Sequence, residues 1–168
     1  FNASYCFTKD TVIFRNPLPP AAVRRVIENA KALGRPVSVA TATRSASNGN
    51  DPDLTDYYAI SKQTIAVADD FEELMNSTVY QLMLGSRKEE HAQLLKGVTG
   101  TKITSWWPRA VDIIPADGSK GVGVQKVLDY FHIKNEQAIA FGDGGNDIEM
   151  LQTVGTGVAM GNATDDVK

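Results

Sequence analysis

The chain has 168 residues, 42% of them hydrophobic and 22% charged, with a formal net charge of −3. Such composition suits one sizeable globular domain or two small ones, and the mild charge gives no electrostatic case for a nucleic acid or an acidic membrane surface as partner. No run approaches the roughly 20 apolar residues of a membrane span, and the single cysteine, Cys6, excludes an internal disulfide and fits a reducing, cytoplasmic setting.

In chain order, "ASYCFTKDTVIFRN" (3–16) predicts two short strands around a Thr-Lys-Asp turn, a β-hairpin. After the rigid "PLPP", Val23, Val26, Ile27, Ala30 and Leu33 repeat with the period of an amphipathic helix, and Gly34 ends it. "PVSVAT" (36–41) predicts a strand, and the polar, turn-rich "RSASNGNDPDLTD" (44–56) a loop. "DDFEELMN" (69–76) predicts a short helix and "VYQLML" (79–84) a strand. "SRKEEHAQLLKG" (86–97) carries helix signals: a Ser cap, a Glu three residues later and a terminal Gly. "KITSWW" (102–107) and "AVDIIP" (110–115) predict strands broken at Pro108, with Trp106 and Trp107 pointing to opposite faces. Beyond them the pattern tightens into helix (118–131), strand (137–141), helix (146–154) and strand (155–160). Residues 1–112 thus read as an α+β unit, and 113–168 as alternating α/β with a parallel sheet. His91 and His132 lie far apart, and no Cys/His cluster suggests zinc.

The chemistry concentrates in "AIAFGDGGNDIEML" (138–151). Ligands of parallel α/β sheets sit at the carboxyl ends of strands, where Asp143 falls. Gly142, Gly144 and Gly145 permit a tight turn and close backbone approach, and Asn146 and Asp147 open a helix whose N–H groups favour an anion. A carboxylate there suits Mg²⁺ together with a phosphate. Lys120, in "DGSKG" at the start of the preceding helix, is separated from Asp143 by one helix and one strand, which brings both to the same sheet edge. A fixed ammonium there can hold a phosphoryl group. Taken singly, Asp143 and Asp147 also read as turn former and helix cap, and Lys120 as a solvated lysine.

The ordered set "SKG", "FGDGGNDIEML" and "GTGVAMGNATDDVK" resembles the C-terminal half of the haloacid dehalogenase (HAD) superfamily, in particular the Cof-type sugar phosphatases with a large α/β cap. The opening "FNASYCF…VIFRNPLPP" is similar to the start of that family's cap, which usually has Phe-Asn-Gly where this chain has "FNA". The resemblance implies an α/β fold: a partial HAD-like Rossmannoid core, its rear half in 113–168, plus an α+β cap domain in 1–112. It also implies a phosphatase that transfers a phosphoryl group to a nucleophilic Asp, with a second Asp as general acid and base, acting on a small phosphorylated metabolite. Asp143 would be a Mg²⁺ ligand, and Asp147 would bind or orient the metal site. Lys120 would neutralise nucleophile and phosphate, and Asn146 would donate to the substrate phosphate. A phosphosugar mutase on the same scaffold and a non-catalytic fragment are the alternatives.

The family's Asp-x-Asp-Gly-Thr nucleophile stretch is not among these residues. The only Asp-x-Asp, Asp51 to Asp53, follows polar "SNGN" rather than a buried strand and reads as loop. "SVATATR" (38–44) looks like the family's phosphate-binding turn, with Thr41 or Thr43 as hydroxyl, but no nucleophile strand precedes it, and a cap strand is the better reading. The chain therefore reads as a piece of a longer protein: a cap and the rear of a core, expected to expose apolar faces and to be inactive alone. "GTGVAMG" and "GVGVQK" lack the spacing of a dinucleotide-binding loop.

Overall fold

The computed structural model describes residues 1–168. They form two compact units, one of Pro17–Asp117 and one of Phe1–Asn16 with Gly118–Lys168. This division differs from the single boundary expected at residue 112: the opening hairpin joins the C-terminal segment, a non-local association that local patterning does not display.

The continuous unit is built on an antiparallel sheet. Its strands are β3 (Ser38–Thr41), β4 (Ser45–Ser47), β5 (Val79–Gly85), β6 (Thr101–Trp107) and β7 (Ala110–Pro115), in the order β4-β3-β5-β7-β6. Its helices are α1 (Pro20–Ala32), α2 (Pro52–Ile60), α3 (Phe71–Met75) and α4 (His91–Leu94). Strand alternation sorts the core into two layers. Val39, Leu82, Leu84, Val111 and Ile113 meet Val23, Val26 and Ala30 of α1, Phe71 and Leu74 of α3 and Leu94 of α4. Ala40, Met83 and Ala110, from the opposite face, meet Leu54, Tyr57 and Tyr58 of α2. With helices on both faces, β5 is buried along its whole length. Helix α1 stops where Gly34 turns left-handed at φ 69°. There the Gly34 N–H bonds Lys31 O at 3.0 Å and the Arg35 N–H bonds Ala30 O at 2.9 Å, which satisfies the last carbonyls of the helix.

The stretch expected to be loop at 44–56 instead forms β4 and the start of α2. Asp51 caps that helix, accepting the Leu54 N–H at 2.7 Å, and Pro52 occupies its first turn. Asp53, at 7% exposure, receives three guanidinium groups. Arg87 binds it bidentately at 2.7 and 3.0 Å, Arg35 at 3.1 Å and Arg109 at 3.3 Å. The cap expected at Ser86 falls one residue later, where the Arg87 N–H bonds Glu90 Oε2 at 2.6 Å.

The two tryptophans do not divide between the faces. A register shift in β6 between Thr104 and Trp107 interrupts the alternation. Both rings come to lie against Tyr57, with centroids 5.2 and 6.3 Å from its own. The Tyr57 hydroxyl accepts from Trp106 Nε1 at 3.2 Å and donates to the buried Asp112 carboxylate at 2.6 Å. Burial and the Asp112 charge push the Tyr57 pKa upward, so it stays a donor. A donor to a buried carboxylate contributes about 1.5–3 kcal/mol. Tyr57→Phe is therefore expected to lower unfolding free energy by that amount in a urea titration; an unchanged midpoint would mean that Asp112 draws its stabilisation from elsewhere.

The discontinuous unit contains the hairpin β1 (Tyr5–Phe7) and β2 (Val12–Arg15), helix α5 (Lys120–Tyr130), and the parallel pair β8 (Ile139–Gly142) and β9 (Thr156–Ala159) connected by α6 (Ile148–Thr153). A Cβ on Gly123 would lie 2.3 Å from the Cβ of Ala3, and one on Gly121 2.7 Å from Glu149 O. Helix α5 thus approaches both the hairpin and α6 more closely than a side chain allows. Ile139 and Phe141, on one face of β8, are 58% and 60% exposed. Cys6 is half-buried, and burial raises its thiol pKa, so nothing marks it as a nucleophile. No helix is long and apolar enough to cross a membrane.

Candidate active site

Strand β8 ends at Gly142, and Asp143 and Gly144 lead into a 3-10 turn, Gly145–Asp147, that opens α6. The turn closes on one side chain. Asp147 Oδ2 accepts the N–H groups of Asp143 at 3.1 Å and Gly144 at 3.2 Å. The Asp147 Cβ lies 2.5 Å from where a Cβ on Gly142 would stand, so only glycine fits there. Asp147 Oδ1 accepts Lys120 Nζ at 2.5 Å. Lys120 opens α5, whose N-cap Ser119 accepts the Val122 N–H at 3.2 Å. A cation at a helix N-terminus is unfavourable by the helix dipole; the Asp147 carboxylate offsets this and holds the ammonium in place. Burial opposes ionisation of Asp147, but Lys120 and the two backbone N–H groups outweigh it, and its pKa is lowered.

Asp143 is exposed, and its Oδ2 accepts the Asn162 amide at 2.7 Å. Asn146 donates through Nδ2 to Asn2 Oδ1 at 3.0 Å. Asn2 is buried, and both it and Ala3 have left-handed backbones, at φ 45° and 60°. Two consecutive non-glycine residues in that region are held there by their surroundings. The structure therefore brings Lys120, Asp143, Asn146 and Asp147 to one strand end, and adds Asn2 and Asn162, which motif reading did not single out. "FNA" and "GNA" were visible, but nothing local indicated that their amides reach the turn.

The other candidates lie in the continuous unit. Thr41 ends β3, and its hydroxyl accepts the Thr43 N–H at 3.3 Å and the Arg44 N–H at 3.2 Å, shaping the turn into β4. The turn borders a cavity of about 360 Å³. Asp51 and Asp53 serve the cap and the arginine cluster described above.

No group of three or more His, Cys, Asp or Glu side chains gathers to hold a metal. Asp143 nevertheless fits a hard cation: it is exposed, charged, at a strand end, and its Oδ1 has no internal donor. Asp147 is already engaged through both oxygens. Mg²⁺ commonly takes one or two carboxylates and completes its octahedron with water and phosphate, which this donor set permits.

The haloacid dehalogenase-like hydrolase family profile matches residues 1–168, and the chain belongs to that family. Within it, the chain groups with the Cof-type members and has the mixed α/β HAD fold. It is 32% identical over 170 residues to the putative phosphatase YkrA of Bacillus subtilis, covering all of this chain and 65% of that protein. It is 32% identical over 130 residues to the Bacillus subtilis 5-amino-6-(5-phospho-D-ribitylamino)uracil phosphatase YitU, covering 71% of this chain and 46% of that one. A solved sugar phosphatase of HAD subclass IIB superposes with a TM-score of 0.86 at 30% identity, covering 99% of this chain and 64% of the other. The chain thus spans roughly two thirds or less of the length of these relatives.

Proposed function

We propose that the protein carrying this chain is a Mg²⁺-dependent phosphatase acting on small phosphorylated metabolites, sugar phosphates among them. The observation that carries this reading is the Asp143–Asp147 turn with Lys120 pinned to it, a strand-end carboxylate beside a fixed ammonium. The names of YitU and of the subclass IIB sugar phosphatase support the substrate class. The discontinuous unit takes the role of the catalytic core and the continuous unit that of the cap. The single cysteine fits a cytoplasmic setting.

The residues divide the work. Asp143 would hold Mg²⁺, and Asp147 orients the site by fixing Lys120 and the backbone of the turn. Lys120 neutralises the phosphoryl group, and Asn146, steadied by Asn2, donates an uncharged hydrogen bond to it. Mg²⁺, when bound, supplies charge neutralisation at the phosphoryl oxygens. In this reading the phosphoryl group passes first to a nucleophilic aspartate, with the ester P–O bond broken and the dephosphorylated alcohol leaving, and then to water, which releases inorganic phosphate and frees the aspartate; no Asp-x-Asp-Gly-Thr stretch occurs among these 168 residues.

The test is phosphate release by the full-length protein from a panel of sugar monophosphates, with Mg²⁺ and with EDTA. Release that EDTA abolishes is expected. Conversion of one sugar phosphate to an isomer without release would identify a mutase. Neither activity on any member would overturn the proposal.

A further inference from the structure

We infer that Asn162 is a positioning residue for the metal: it fixes the Asp143 carboxylate so that one oxygen is presented to Mg²⁺. The inference rests on the reading of Asp143 as the ligand and extends it to a residue outside the glycine-rich turn.

The argument begins with the chain path. Strand β9 runs parallel to β8, and the ladder continues past its end, where the Met160 N–H bonds Gly142 O at 2.9 Å. Residues 160–162 are thereby carried alongside Gly142 and Asp143. The turn that follows is anchored. The Ala163 N–H bonds Met160 O at 2.9 Å, the Ala163 side chain is 6% exposed, and Lys168 Nζ bonds Gly161 O at 3.0 Å. Asn162 thus extends from a held backbone, and its amide meets Asp143 Oδ2 at 2.7 Å. A carboxylate only accepts, so the amide nitrogen must be the group that faces it.

Both side chains are exposed, and a hydrogen bond in that setting adds little to stability. Its effect is on orientation. Without it, Asp143 rotates freely about its last torsion and either oxygen can turn to solvent. With it, Oδ2 is occupied by a neutral donor and Oδ1 is left for the cation. Asn suits this role because it donates without charge. Lys or Arg in its place would compete with Mg²⁺ for the carboxylate, and Asp would repel the carboxylate. Groups that orient metal ligands typically contribute 10–100-fold to affinity.

The experiment is calorimetric titration of MgCl₂ into the full-length protein and its Asn162→Ala, Asn162→Ser and Asp143→Asn variants, with phosphate release measured across Mg²⁺ concentration. Asn162→Ala and Asn162→Ser, which lose the reach of the donor, are expected to weaken Mg²⁺ binding about 10-fold. Half-saturating Mg²⁺ for turnover should rise equally, kcat should recover in excess Mg²⁺, and the thermal midpoint should stay near the wild-type value. Recovery by excess metal is a response that a merely structural role would not give. If Asp143→Asn weakens binding while both Asn162 variants bind like the wild type, the positioning role is wrong. If Asp143→Asn binds Mg²⁺ like the wild type, the ligand reading itself fails and this inference falls with it.

Discussion

Replacing Asp143 with Asn is expected to lower phosphate release by the full-length protein about 10³-fold, equivalent to about 4 kcal/mol of transition-state stabilisation, and to leave its thermal midpoint nearly unchanged. The side chain is exposed, and its one internal partner, Asn162, can still donate to an amide oxygen. What the substitution removes is the charge that a hard cation requires. Lys120→Ala would also suppress turnover, but it leaves the buried Asp147 carboxylate without its ammonium, so activity and stability would fall together. Asp143 separates the two effects. The measurement is kcat/KM against Mg²⁺ concentration beside a thermal melt; turnover within about threefold of wild type would remove Asp143 from the site.

Loss of Asp53 acts on the fold instead. Asp53→Ala takes one buried carboxylate from three guanidinium groups at once. Breaking a fully buried pair costs about 3–5 kcal/mol. Here the arginine side chains are 20–39% exposed, so water recovers part of the loss, and about 2–3 kcal/mol is expected by chemical denaturation. The effect depends on pH with a definite sign. The Arg87 hydrogen bond, more than any other contact, holds the Asp53 pKa below its ordinary value. The stabilisation is therefore complete above the unfolded-state value of about 3.9 and vanishes as pH falls through the lower folded-state value. The gap between wild type and Asp53→Asn should stay constant from about pH 7 to 5 and close below about pH 4. A gap persisting unchanged in strong acid would show that packing, not charge, sets the effect.

These two aspartates also show how far local patterning reaches. Asp143 is legible because strand, glycine turn and helix follow one another in sequence and chemistry clusters where they meet. Asp53 reads as loop because polar residues surround it. Yet Asp51 as cap, Pro52 in the first turn and the Leu54, Tyr57 and Tyr58 spacing are helix signals in plain view. The expected opposition of Trp106 and Trp107 fails for another reason: strand alternation holds only while the register does, and the bulge in β6 is a tertiary feature. The grouping of residues 1–16 with 118–168, and the hydrogen bonds of Asn2 to Asn146 and Asn162 to Asp143, join segments whose proximity no local pattern encodes.

The same discontinuity orders events during synthesis. About a hundred residues separate the two segments of the unit that holds the turn. Closing a flexible loop of that length costs on the order of 4 kcal/mol in chain entropy by the logarithmic length term alone. The intervening unit has no such handicap, since all its strands and helices lie within one uninterrupted stretch and are synthesised before residues 118–168. Once compact, it replaces the floppy loop with a folded body and removes much of that entropic cost. The nascent hairpin, with Cys6 and Phe14 still lacking α5, must meanwhile wait for the last third of the chain. Slow steps in maturation should therefore track the arrival of α5, and a chaperone would encounter the hairpin before it encounters anything of the Asp143 turn.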